Sequence, residues 1–455
     1  MKKPDTAEMT QGPFFKKIVL FAIPVTLTGL LQIVYNTADT AVVGRFAGKA
    51  ALAAVGSTGS MISLIVNLFT GLSMGAGVLT ARMLGAKDAE GTRRTVHTAM
   101  GLSLLSGLAI CALGVAFSPT LLKWMQAPAD TIGLSTLYVR IYFLGAPGSM
   151  VFNFGAAIIR ATGDTGRPLK YLAASGAVNV LLNLFTIIVL HWGVAGVAVA
   201  TITSQYLTAI LAVRRLLTTD GDVRLTLRQI RFSPGELRQI LRIGVPVGLQ
   251  NALFSVSNVI IQSNVNTFGS DAMAGISAGS NYDAYIFTAT NGFTQAGMTF
   301  ISQNVGAKKK ENIRKIWRIV LLSAVVAGAV MAAVGFTLRF QIVRLFTSDP
   351  AVAAVGAERM ALIMPFYVFC SLLDVTGGAV RGLGRSFQIM LVSLFGACGI
   401  RLIWVFCFLP MHRTLSFLYV SYPLSWGVSF LVAAGLFLWL TGGPRLEKIL
   451  ERRAA

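Results

Sequence analysis

Charge is scarce in this sequence. Of its 455 residues only 13% are Asp, Glu, Lys or Arg and 55% are hydrophobic, against about 25% charged in a soluble domain. That shortage excludes an ordinary soluble fold and predicts an all-α polytopic membrane protein. Acids are scarcer still, 18 against 39 Lys and Arg. The resulting net charge of +21 would suit a nucleic-acid partner if the bases clustered on one face. Instead they sit in short segments between apolar runs, as the positive-inside rule describes, so no nucleic acid is expected. The three histidines, His97, His191 and His412, fall at span ends and far apart. The four cysteines, Cys111, Cys370, Cys398 and Cys407, lie in apolar runs without metal-ligand spacing, which predicts neither disulfide nor resident metal. No Gly-x-x-x-x-Gly-Lys-[Ser/Thr] segment occurs, so nothing points to direct use of ATP. No catalytic constellation is legible, and the chain is read as neither an enzyme nor a cofactor binder. Lys2 and Lys3 are too few, and no small-residue cleavage site precedes Ile18, for a cleaved signal.

What is present is apolar length. Hydropathy with Gly, Pro and charge punctuation gives about twelve spans, the first near 17–43, the tenth near 358–380 and the last near 415–440. Most Lys and Arg fall at the termini and in the even-numbered loops, among them Lys16, Lys17, Lys87, Arg93, Arg94, Arg214, Arg215 and Lys308 to Lys310. Both termini are therefore expected on the cytoplasmic side of a cell membrane.

The two halves resemble each other. Ile23-Pro24-Val25 matches Val245-Pro246-Val247, the segment from Gly71 to Lys87 returns from Gly292 to Lys308, and Arg160-Ala-Thr-Gly163 returns as Arg381-Gly-Leu-Gly384. After a single-residue gap near Ala47 the offset stays at 221. An even number of spans between equivalent points predicts two parallel six-helix repeats with a substrate site between them. The expected division is an N-lobe over 1–216, a basic linker over 217–238 and a C-lobe over 239–455.

Polar groups inside the spans are the candidate site. Thr28, Gln32, Asn36 and Asp39 follow at steps of four, four and three, which places them on one helix face. A carboxylate in the middle of a span costs roughly 2.5–3.5 kcal/mol on insertion scales, so Asp39 is read as a transport or proton-relay group; tying helices together is the plainer role. Asn153, Asn179, Asn183, Thr201 and Gln205 can join it, although each Asn alone would serve as interhelical glue. Such an acid, with desolvation and hydrogen bonding in opposition, suits reversible protonation or oxygen coordination of a small cation such as Na⁺. Only Asp39, Asp283 and Asp374 among the acids lie well inside spans. Asn251, Ser255, Asn258, Gln262 and Asn266 form a stripe on the seventh span, expected to line an aqueous cavity or a packed interface, with Asp283 and Asn291 adding polarity on the eighth. Arg401, read as the one clear mid-span base, is expected to pair with Asp374. Pro24 permits a kink four turns before Asp39, and the glycines at 71, 75, 77, 292 and 297 suit close helix packing.

With these features the chain resembles the multidrug and toxic compound extrusion (MATE) family, most of all the bacterial Na⁺-driven multidrug efflux pump homologues. The resemblance is carried by Gln32-x-x-Tyr35-Asn36-x-x-Asp39-x-x-x-Val43-Gly44-Arg45, Arg160-Ala-Thr-Gly163-Asp164-Thr165, Gly244-Val-Pro246-x-Gly-Leu-Gln250, Gln303-Asn304-x-Gly306-Ala307 and Asp374-x-x-x-Gly-Ala-x-Arg381-Gly382. It implies a V-shaped pair of six-helix bundles, alternating access, and export of organic cations or other drugs against inward H⁺ or Na⁺. It also implies that Asp39 is the first-helix acid of the N-lobe coupling site, that Asn179 and Thr201 are polar members of that site, and that Pro24 is where the helix bends; Asn36, Asn153 and Asn183 are assigned to the same cation-coupling site. Asp374 matches the tenth-helix acid linked to cation binding in some members. Gln32, Asn258, Gln262, Asp283 and Asn291 are assigned to the substrate cavity. Asn183 departs from the family, where many members carry Asp, and this leaves H⁺ and Na⁺ both open. Small-molecule drugs and membrane lipids are the expected partners of a monomer. A lipid-linked oligosaccharide flippase of the same superfamily is the alternative; a channel or sensor is disfavoured by the lack of arginine repeats and filter-like loops.

Overall fold

The computed structural model describes residues 9–125 and 131–451; the terminal basic residues Lys2, Lys3, Arg452 and Arg453 lie outside them. All the regular secondary structure among the described residues is helical, with no strand. In the first repeat the helices are α1 (Phe14–Val42), α2 (Lys49–Ala86), α3 (Ala89–Trp124), α4 (Ile132–Leu144), α5 (Ala146–Ala161), α6 (Gly166–Leu184) and α7 (Gly193–Thr218). In the second they are α8 (Pro234–Asn266), α9 (Ser270–Gly306), α10 (Lys310–Thr337), α11 (Arg339–Arg344), α12 (Pro350–Ile363), α13 (Tyr367–Gly382), α14 (Ser386–Val392), α15 (Ile400–Ile403) and α16 (Leu415–Leu440), closed by α17 (Gly443–Glu451). Ten helical stretches are long and apolar enough to span a bilayer, and the bent pair α4–α5, with its 44° break, makes an eleventh. The twelfth is α9. It is 37 residues long but interrupted by Asn281, Asp283 and Asn291, so it is polar for its length.

Local chemistry sets the ends. The Asp88 carboxylate accepts from Gly91 N at 2.8 Å and starts α3. Asp349 accepts from Ala351 N at 2.8 Å and, with Pro350 at the first helical position, starts α12. The duplication is written in the backbone as well. Left-handed φ recurs at Gly48 and Gly269 (88° and 101°), at Lys87 and Lys308 (55° and 56°), and at Gly163 and Gly384 (92° and 76°), each pair 221 residues apart. The sequence offset therefore marks equivalent turns of two equivalent repeats.

The chain separates into two compact units. One holds Leu27–Gly248; the other holds the described chain before Leu27 and the described chain after Gly248. The leading helix of each repeat is thus shared, changing units at Thr26/Leu27 in α1 and at Gly248/Leu249 in α8. The interlobe segment expected at 217–238 lies inside the first unit.

In the first unit α2 and the start of α8 touch backbone to backbone. A Cβ on Gly71 would lie 2.4 Å from Gly248 N, and one on Gly75 2.4 Å from Ile240 O. Only glycine allows that approach. The second unit repeats the device: a Cβ on Gly292 of α9 would lie 2.6 Å from Ala22 O of α1. Its large core is built around pairs such as Phe21–Phe300 and the stacked Trp317–Phe437, whose centroids are 4.6 Å apart. The segment before α8 is pinned to α3 by His97, whose Nδ1 bonds Arg93 O at 2.7 Å and whose Nε2 accepts from Thr226 N at 3.1 Å.

Candidate functional site

In the first unit three of the expected polar residues come together. Asn183 Nδ2 on α6 donates to Asp39 Oδ1 on α1 at 2.5 Å and to Asn179 Oδ1, one turn back, at 3.3 Å. Asn179 and Asn183 are buried at 4% and 1% exposure, and the turn after them loosens into a π-helical stretch, Phe185–Val189. Asp39 is not central in its helix as the sequence suggested. The helix begins at Phe14, so Asp39 sits in the last turn before Val42 and the π-helical Val43–Ala47.

The other first-unit candidates are placed differently. Asn153 Nδ2 donates to Ser149 O at 2.9 Å and Thr201 Oγ1 to Val197 O at 2.9 Å, each bonding back along its own helix. Gln32 and Asn36 are exposed. Sequence reasoning passed over two residues, Tyr138 and Tyr142 of α4, whose rings lie 6.1 Å apart within the electrostatic reach of Asp39. Their step of four placed them on one face, and only the packing of α4 shows which face that is. Tyr35, on the same helix as Asp39, donates to Ala173 O at 3.2 Å and lies against Gly176, tying α1 to α6 below the site.

In the second unit the pairing expected between Arg401 and Asp374 is not formed. Arg401 is 4% exposed; its Nε donates to Ser425 Oγ at 3.0 Å, and its guanidinium lies 4.3 Å from the Tyr422 ring centroid and 5.5 Å from that of Trp426. Aromatic faces and a hydroxyl stabilise the cation there in place of a carboxylate. Asp374 makes no ion pair among the described residues; the charge it acts on is Arg381, two turns further along α13. Arg381 Nη2 donates to Gln250 Oε1 at 3.0 Å, and Gln250 Nε2 to Ser393 Oγ at 2.8 Å.

Asp283, expected in the substrate cavity, instead faces an arginine. Arg359 of α12 grips both its oxygens, Nη2 to Oδ2 at 2.5 Å and Nη1 to Oδ1 at 3.4 Å, with the arginine only 4% exposed. Arg401 is therefore not the one mid-span base. Arg359 was missed because the tenth span was drawn from residue 358. The Asp349-Pro350 start signal would have begun it at 350 and put Arg359 well inside. Asn258 and Gln262 are exposed on α8, with Gln262 Nε2 bonding only Asn266 Oδ1 on its own helix at 3.1 Å, and Asn291 is half-buried. The stripe is therefore exposed at Asn258, Gln262 and Asn266 and half-buried at Asn251 and Ser255. Pro24 lies inside a continuous helix, two residues before α1 changes units, and Pro246 lies two residues before α8 does the same. Among the described residues no group of three or more His, Cys, Asp or Glu could hold a metal ion.

Comparison with known proteins gives a consistent picture. A family model described as MatE matches residues 24–185 and 246–407, one copy on each repeat. "Probable multidrug resistance protein YoeA" of Bacillus subtilis is 24% identical over 458 residues, covering 98% of both chains. "Probable multidrug resistance protein YpnP" of the same organism is 27% identical over 389 residues, 85% of this chain and 86% of its own. A solved MOP superfamily transporter from Pyrococcus furiosus, described as having a binding pocket of reverse polarity, superposes with a TM-score of 0.89 at 24% identity over 100% of both chains. The same score is reached by a crystal structure of MATE in the bent conformation, over 99% of this chain and 100% of that one. The fold is shared.

Proposed function

The chain belongs to the MatE family, and we propose that it is a secondary active exporter of organic cations and other drugs, driven by H⁺ or Na⁺ antiport. The observation that carries this reading is the Asp39–Asn183–Asn179 chain of hydrogen bonds. It places one carboxylate, backed by buried amides, in a membrane-spanning helix shared between two units. A carboxylate kept in a span despite its cost is suited to exchange a proton, or a small cation held by oxygens. Drug and coupling ion need not share atoms. Each has only to bind the two access states with different affinity, and a loaded Asp39 favours the state that releases drug outward. Pro24, beside the point where α1 changes units, is the hinge through which the state of Asp39 acts on the helix.

Asp374 is a second cation-binding candidate, since among the described residues it makes no ion pair and Arg381 acts on it only from two turns away. Asn36, Asn153 and Thr201 remain around the first site through rotamer changes rather than in the present hydrogen bonds. Gln32, Asn258, Gln262 and Asn291 serve the substrate path. Asp283 joins them only in a state where Arg359 releases it. In the same reading the protein is a monomer in the cell membrane with both termini in the cytoplasm. The flippase alternative calls for a cationic cavity. Here Arg359 is neutralised by Asp283 and Arg401 is held against aromatic rings, and both features favour the exporter.

The test is ethidium or fluoroquinolone efflux from proteoliposomes under a pH gradient and a Na⁺ gradient imposed separately, with Asp39→Asn and Asp374→Asn beside the wild type. Efflux driven by one gradient and lost in Asp39→Asn identifies both antiport and ion. Intact exchange in folded Asp39→Asn refutes the assignment of Asp39. No drug movement under either gradient refutes export, and lipid-linked sugar transport becomes the assay.

A further inference from the structure

A groove of about 400 Å³ runs along the outside of the first unit between α3, α5 and α7. Its walls are Leu104, Pro147, Val151, Tyr206, Ile210 and Val213, and Arg214 and Thr218 close one end. Leu104 and Ile210 are 50% and 61% exposed. On spanning helices, such exposed apolar faces look into lipid. The floor is shaped by Gly148, where a Cβ would lie 3.1 Å from the Tyr206 ring. The Tyr206 hydroxyl is used up on Leu144 O at 2.8 Å, leaving only the ring to the groove.

Length and charge say what fits. From Tyr206 to Arg214 α7 rises about 12 Å at 1.5 Å per residue, within the roughly 15 Å depth of one hydrocarbon leaflet. The apolar part therefore ends about where headgroups begin, and it ends at a cation. Arg214 is exposed and makes no ion pair among the described residues. Around Tyr171 it is grouped with Arg215 and Arg167, and the one acid there, Asp164, is taken by Arg167. We infer that this groove is a binding site for an anionic phospholipid of the leaflet on the side of the basic loops, one acyl chain along Tyr206, Ile210 and Val213 and the phosphate at Arg214.

The experiment uses the full chain in phosphatidylcholine vesicles doped with a phosphatidylglycerol carrying a photoreactive group in one acyl chain. A phosphatidylcholine probe of the same chain runs in parallel, and labelled peptides are mapped by mass spectrometry. The readout needs no transport, so its failure and that of the exporter reading are distinct. Labelling of residues 206–213 by the anionic probe is expected to exceed that by the zwitterionic one about fivefold, the scale of one basic residue beside anionic lipid. The preference should collapse to near unity in Arg214→Gln, persist in Arg214→Lys and weaken in high salt. Ile210→Trp, which fills the groove, should cut labelling by both probes. Equal labelling of the wild type by both probes would overturn the inference, as would a preference that survives Arg214→Gln. So would displacement of both probes by ethidium, which would make the groove a drug path. If Arg214→Gln does not fold, the wild-type ratio and its salt dependence decide.

Discussion

Asp283 and Arg359 allow a direct test of whether a buried charge serves structure or transport. The pair is two-pronged, and Arg359 is 4% exposed within a span. Asp283→Asn keeps the shape of the side chain but leaves a guanidinium without its counter-charge. Removing one partner of a buried pair costs about 3–5 kcal/mol, whereas replacing both by neutral groups is often close to neutral. A folding unit of this size loses about 2–4 °C of melting temperature per kcal/mol. Asp283→Asn and Arg359→Met should therefore each melt roughly 10 °C below wild type in detergent, compared at one scan rate because unfolding there is kinetically controlled. The double variant Asp283→Asn/Arg359→Met should recover most of that loss, a coupling of about 5 kcal/mol or more, because two losses of about 3–5 kcal/mol each collapse to a small one. If instead Asp283→Asn melts like wild type and drug efflux falls, Asp283 is a cavity residue and the structural role argued from its geometry is wrong. Additive losses in the double variant would refute the pairing itself.

Asn183→Leu removes the donor to the Asp39 carboxylate; a hydrogen bond to a charged group is worth about 1.5–3 kcal/mol, so gradient-driven efflux should fall about tenfold or more, and unchanged efflux would show the bond idle. Gly75→Ala forces a Cβ to 2.4 Å from Ile240 O and should destabilise by about 1–3 kcal/mol. Gly427→Ala, with nothing within 4 Å, should stabilise by about 0.5–1 kcal/mol; thermal melts in parallel check the contrast. His97→Phe strips Thr226 N–H of its acceptor at a cost of about 1–3 kcal/mol, and trypsin should then cut at Arg224 and Arg228 faster than in wild type, with equal rates refuting the latch.

Membrane class, the helical architecture and the duplication were determined by the sequence alone, because each rests on one-dimensional patterns. Apolar length reports a span, and a constant offset reports a repeat, as the left-handed turns at Lys87 and Lys308 bear out. The shortage of acids made Asp39, Asp283 and Asp374 conspicuous without any structure. Partners were another matter. A step of four shows that Asn179 and Asn183 share a face, but which carboxylate that face meets depends on how α6 packs on α1. Likewise Arg401 had a plausible partner in Asp374 by depth, yet aromatic rings on α16 lay nearer, while Asp283 found Arg359 on a helix whose start had been drawn too late. The division of α1 and α8 between two units was equally out of reach of the sequence. Hydropathy measures how long a helix is, whereas only the packing around Gly71, Gly75 and Gly292 decides which neighbours each half of it touches.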